Sequence, residues 1–165
     1  MSTIKVDTVQ KLNGSVPKAS DLGLNVTGTI LQVKQATDEN QRTISGTSYA
    51  TCSNTLSVDI TPTATSSKFL VSFDTESYFA TDNVSHYLTI YRDSTDIGNS
   101  SGYGLARGFS SSSDISMGMD GTILDSPNTT SQITYQVYGK LASGSGPAYF
   151  NSQTIGTLTV MEVAG

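Results

Sequence analysis

The stretch SQITYQVYGK, residues 131–140, decides the fold class. Ile133, Tyr135 and Val137 fall on one face of an extended chain, and Gln132, Thr134 and Gln136 on the other. Successive side chains of a strand point to opposite sides, so this period of two marks a strand with one buried face and one wetter face. The same alternation recurs along the chain: Leu56, Val58 and Ile60 share a face, as do Phe69, Val71 and Phe73. Strands are expected at 29–36, 47–51, 55–60, 68–76, 84–92, 104–109, 115–124, 131–140, 147–151 and 154–163, with 115–124 interrupted at Gly118 or Gly121. Turn-forming residues stand between them, among them Thr61-Pro62, Asp82-Asn83, Asp120-Gly121, Ser126-Pro127-Asn128 and Gly144-Ser145-Gly146-Pro147. No helical periodicity interrupts the series. Many short strands at close spacing predict an all-β fold, a β-sandwich of jelly-roll-like form, over 29–165.

Two of the expected strands are apolar on both faces. In 84–92, Leu88 and Ile90 oppose Tyr87 and Tyr91; in 154–163, Leu158 and Val160 oppose Met161 and Val163. A strand that is apolar on both faces is covered on both. A second copy of the chain is the economical cover for the outer face. A homo-oligomer is therefore expected, with Tyr87, Tyr91, Leu158, Val160 and Met161 near the subunit interface.

Upstream of the β-region, residues 1–28 read as an arm and a connector. Residues 2–10 are strand-competent, yet a single strand is unstable alone and needs a neighbour to pair with. Ile4, Val6 and Val9 are its apolar contacts, which points to anchoring by strand addition to another chain. Asn13-Gly14, Val16-Pro17, Gly23 and Gly28 then punctuate a linker.

Composition narrows the function classes. The chain has 165 residues, 36% hydrophobic and only 14% charged, with the difference made up by small polar residues. Its net charge of -5 and scattered basic residues argue against binding a nucleic-acid backbone. No apolar run is long enough to span a bilayer, and no basic-then-apolar leader opens the chain, so production in a cytoplasm without membrane insertion is expected. Cys52 is the only cysteine, which excludes an intrachain disulfide and suits a small residue in or beside a strand.

Candidate chemistry is thin. His86 is the only histidine and lies on the same strand face as Val84, Leu88 and Ile90, the setting of a structural residue rather than of a catalytic triad or metal site. Asp74 and Glu76 share a strand face, but nothing in the sequence sets two carboxylates across one cleft as glycoside hydrolysis needs. No catalytic residue, metal ligand or cofactor site is expected. Tyr103, Phe109 and Tyr149 lie in or beside Gly/Ser-rich segments. Flat rings bury area at low entropic cost, so these three are candidates to contact a surface glycan or protein, or else to pack under their own loops or at a subunit interface.

The segments STIKVDTVQ, VPKASDLGL, GTILQV, ITPTATSSKFLVSF, YLTIYRDSTDIG, LDSPNTTSQITYQVYGK and TLTVMEVAG, in that order, resemble small structural proteins of tailed bacteriophages, in particular those of marine phages and cyanophages. The resemblance covers nearly the whole chain. It implies a β-sandwich body, commonly trimeric, displayed on the virion among other virion proteins of tail or capsid, and no catalytic residues. It leaves two roles open: a tail-fibre or receptor-binding module, or a decoration (cement) protein that stabilises the head shell.

Overall fold

The computed structural model describes residues 27–53, 55–98, 101–142 and 146–165. The proposed arm, with Ile4, Val6 and Val9, lies outside the described residues. Twelve strands are present and no helix is found among the described residues: β1 (Ile30–Asp38), β2 (Arg42–Ile44), β3 (Ala50–Thr51), β4 (Ser57–Ile60), β5 (Lys68–Phe79), β6 (Val84–Arg92), β7 (Thr95–Asp96), β8 (Ala106–Ser110), β9 (Ile115–Asp125), β10 (Ile133–Leu141), β11 (Ala148–Phe150) and β12 (Gly156–Val163). They form two antiparallel sheets packed on a common core, the β-sandwich expected from the alternation.

In sheet A, β5 is the spine. β9 pairs along its whole length on one edge, while β12 pairs with its first part and β11 with its last three residues on the other. β1 then continues outward from β12, and β2 from β11. Sheet B is centred on β10 and β6. β4 and β3 share the far edge of β10; β8 and β7 share the far edge of β6.

The inward positions follow the sequence pattern. Phe69, Val71, Phe73 and Phe79 of β5 and Leu158 and Val160 of β12 meet Leu88 and Ile90 of β6 and Ile133, Tyr135 and Val137 of β10. Fully burying each such side chain is worth roughly 1.5–3 kcal/mol, so this shared cluster dominates the stability of the body. Polar clasps tie the sheets at their ends. Arg92 of β6 donates from one Nη to both carboxylate oxygens of Asp125 of β9 at 2.7 Å, and Tyr135 Oη donates to the same carboxylate at 2.7 Å. Burial and that carboxylate push the Tyr135 phenol far above its usual range. Near the same end, Glu162 of β12 accepts from the backbone N–H and the hydroxyl of Thr63, each at 2.7 Å, and from Gln32. Burial opposes its charge, but the donors of Gln32 and Thr63 outweigh it and hold the carboxyl below the usual range.

The structure differs from the sequence expectation in three places. β9 runs unbroken through Gly118 and Gly121. A Cβ at Gly121 would stand 2.6 Å from the Phe73 ring, so this glycine makes room for an aromatic of the neighbouring strand and does not end its own. β2 and β7 were not legible because each is too short to show a period. β7 exists as the return of a hairpin turned at Asp93, which holds φ 52°. Cys52 follows β3 and is fully buried, which pushes its thiol well above the usual range.

The segment leading into β8 is pressed onto sheet B. Gly104 holds φ 72°, and a Cβ there would lie 2.2 Å from the Leu88 carbonyl oxygen and 2.8 Å from the Tyr49 hydroxyl. The next residue, Leu105, donates its N–H to that carbonyl at 2.7 Å. Gly104→Ala combines a disfavoured φ with a backbone clash, and a loss of about 3 kcal/mol is expected. A urea transition with an unchanged midpoint would contradict it.

Candidate functional site

Of the chemistry-bearing residues singled out in the sequence, His86 stands apart from Asp74 and Glu76. His86 points into the core and is 0% exposed. Its ring stacks on Phe79 at 4.1 Å, its Nδ1 hydrogen-bonds Ser77 Oγ at 2.6 Å, and its Nε2 has no partner. Ser77 is equally buried. A serine and a histidine in contact are the first two members of a nucleophilic triad, but here both are sealed between the sheets, where no substrate reaches. Burial lowers the imidazole to about 4, so it is neutral at physiological pH.

Asp74 and Glu76 do share the outer face of β5, and an open cleft of about 400 Å³ lies beside them, lined in part by Ser116, Gly118 and Ile155. Glu76 nonetheless has a structural task. It accepts from Ser116 Oγ and from the Gln153 N–H at 2.7 Å, pinning the turn before β12 to the β5–β9 pair. Among the described residues no group of histidines, cysteines and carboxylates could hold a metal ion.

What the fold does build is two distinctive outer faces. On sheet A, register places Val33, Met161, Leu70 and Leu124 side by side on β1, β12, β5 and β9. All four point outward, and Val33 and Leu124 are more than half exposed. Ile30 and Val163 extend the patch at one end. The next row on the other side is neutral and hydroxyl-rich, with Gln35, Thr159, Ser72 and Thr122, and Asp74 and Asp120 follow it. An apolar row crossing four neighbouring strands of a sheet is not the scatter of single apolar residues found on ordinary surfaces.

On sheet B, the outward face carries tyrosines. Tyr91 stacks on Tyr138 at 4.1 Å, Tyr49 meets Tyr91 edge-on at 6.2 Å, and Tyr103 meets Tyr87 edge-on at 5.5 Å. Tyr49 Oη donates to the Gly102 carbonyl at 3.2 Å, which fixes the loop bearing Tyr103 onto the sheet. Burial, with Asp96 next in weight, raises the Tyr49 phenol far above its usual range, and the same two causes raise that of Tyr91.

These placements separate residues that the sequence reading grouped. Tyr87 and Tyr91 face outward on sheet B and are covered by the chain's own Tyr49, Tyr103 and Tyr138, so no second subunit is needed to cover them. Leu158 and Val160 point into the core at 0% exposure and cannot touch a partner. Of the expected interface set, Met161 alone faces out from sheet A. The aromatic contacts divide as well. Tyr103 and Phe109 lie on the sheet B side, and Tyr149 sits on β11 of sheet A beside Tyr78, at 5.8 Å. Sequence reading missed Val33, Leu70 and Leu124 because a single apolar residue on the polar face of a strand carries no signal until register aligns it with three others.

No protein-family model matches this chain and no curated protein matches it, so neither comparison identifies it as a bacteriophage protein.

Proposed function

We propose that this chain is a non-enzymatic structural protein of a bacteriophage virion, a jelly-roll body that forms a homotrimer through the outer face of sheet A. It acts as a surface fibre or receptor-binding module held to other virion proteins by its N-terminal arm. The observation that carries the reading is the Val33–Met161–Leu70–Leu124 row. With strands ~4.8 Å apart and β5 12 residues long, the face measures roughly 19 by 40 Å, close to the ~800 Å² that a standard interface takes from each partner. The jelly-roll reading is supported by the strand order. When short strands that share one position are counted together, every connection passes from one sheet to the other except that from β6 to β8. The sealed His86–Ser77 pair supports a non-enzymatic role. The virion setting and the threefold state rest on the sequence resemblance.

Sedimentation tests the reading. The wild-type chain is expected to run as a trimer at micromolar concentration. Leu70→Asp places a charge in the centre of the apolar row, and a folded monomer is expected. A wild-type chain that stays monomeric at tens of micromolar would sink the proposal. If particles lacking the protein adsorb normally but have fragile heads, the role is cementing and not host contact.

A further inference from the structure

We propose that the outer face of sheet B is a binding site for an acidic saccharide, in which Lys140 and Arg107, held beside the buried Tyr87, meet its carboxylate or sulfate groups and the exposed ring of Tyr103 supplies the stacking surface. Register sets the arrangement. Arg107 of β8, Tyr87 of β6 and Lys140 of β10 stand directly opposite one another on three neighbouring strands, all on the outward side. Lys140 Nζ lies 4.4 Å from the Tyr49 ring centroid and 5.7 Å from that of Tyr87, and Arg107 Cζ lies 5.8 Å from Tyr87 on the other flank. Two cations thus converge on one tyrosine.

Among the described residues no carboxylate lies within ion-pair distance of Lys140 or Arg107. Among them Arg107 makes one hydrogen bond, a long one to Ser85 Oγ at 3.3 Å. Of the acidic groups on this face, Asp96 is held at the Tyr91 end by Thr89 Oγ1 at 2.7 Å and the Gly98 N–H at 2.9 Å, and Asp59 of β4 accepts from Thr134 Oγ1 at 2.6 Å, toward the other end of β10 from Lys140. In a chain of net charge -5, two cations flanking one aromatic ring with no carboxylate partner among the described residues are a local reversal of sign, which suits an anionic ligand.

The surroundings select the class of anion. Tyr103 is 56% exposed and Phe109 49%, so flat apolar faces remain free for the C–H face of a sugar ring. Two cations are too few for a polyphosphate, which the overall charge would repel. Each site is weak alone, and repetition over an oligomer and a particle supplies firm attachment. This inference deepens the reading of the chain as a displayed surface module and rests on it for the source of the ligand, not for the existence of the site.

The test is a titration of the purified full chain followed by tyrosine fluorescence. The probes are an oligogalacturonate, its methyl ester, a sulfated galactan oligosaccharide and poly-glutamate. The two acidic saccharides should bind in the millimolar range. The methyl ester, which keeps the rings and loses the charge, should bind about tenfold more weakly. Lys140→Gln and Arg107→Gln should each weaken acidic-saccharide binding by a similar factor, and Tyr103→Ser should weaken all saccharides. Preference for oligogalacturonate over the sulfated probe, or the reverse, assigns the acid group. Equal binding of the ester, indifference to Lys140→Gln, or equal binding of poly-glutamate overturns the proposal. Sedimentation of the same variants separates this from the assembly reading, because Lys140 and Arg107 lie on the sheet opposite the apolar row and their loss should leave the oligomer intact.

Discussion

Val160→Asp leaves the chain unfolded, and Met161→Asp, one residue further on, leaves it folded. Val160 stands opposite Val71 in the sheet A ladder and is 0% exposed. A carboxylate there has no donor and no cation within the core, and it must either desolvate as an ion or bind a proton. Either way the loss is several kcal/mol, a large part of the ~5–15 kcal/mol that holds an ordinary domain together. Met161 points the other way, into the row shared with Val33 and Leu70. A charge at 161 is solvated in the monomer, so its cost falls on association. Circular dichroism with urea titration reads the first effect and sedimentation reads the second. A folded Val160→Asp protein with a wild-type midpoint would show that β12 had been assigned the wrong face.

Acidification is expected to remove about 3 kcal/mol of stability between pH 6.5 and pH 4, and His86 is the cause. In the fold its pKa is lowered to about 4 by burial, against about 6.5 in the unfolded chain. Between those values the unfolded chain takes up a proton that the folded chain refuses, so stability falls as pH falls. It is fully present above about pH 6.5 and exhausted near pH 4. The groups around the ring are Phe79 and Ser77 from β5 and Phe150 from β11, none of which is charged. Asp38 and Glu162 lose their contribution only in stronger acid. In both, burial opposes the charge and hydrogen bonds outweigh it, holding the carboxyls below their usual range. His86→Gln should flatten the stability profile above pH 4, whatever it costs at neutral pH. A variant that keeps the wild-type slope would place the acid sensitivity elsewhere.

The division between what could be read and what could not follows from the physics of strands. Alternation is local, so β4, β5, β6, β10 and β12 were legible, and so was the inward turn of His86. Facing is local too, but cover is not. Tyr87 and Tyr91 look like an interface in sequence because nothing nearby in the chain shows that Tyr49, Tyr103 and Tyr138 close over them. Leu158 and Val160 were grouped with Met161 because two apolar faces of one strand are indistinguishable until one is packed. The apolar row on sheet A and the Arg107–Tyr87–Lys140 line on sheet B are both products of register between distant strands. Neither exists as a motif in any single stretch, which is why reading along the chain found the aromatic residues but not the cations beside them.

The pairing of β1 with β12 has a consequence for the order of events at synthesis. Among the described residues the ladder of β1 is with β12, from Ile30↔Val163 to Asp38↔Gly156, and Gly28 and Thr29 exchange backbone hydrogen bonds with Ala164. β1 therefore waits for this partner until β12 has left the ribosome, about 120 residues later, while β5 can already pair with β9. Topology of this kind makes folding slow, because the loop must be closed before the contacts reward it. The hydroxyl-rich, weakly charged strands suit that delay, since a nascent chain with few long apolar runs survives the wait without aggregating.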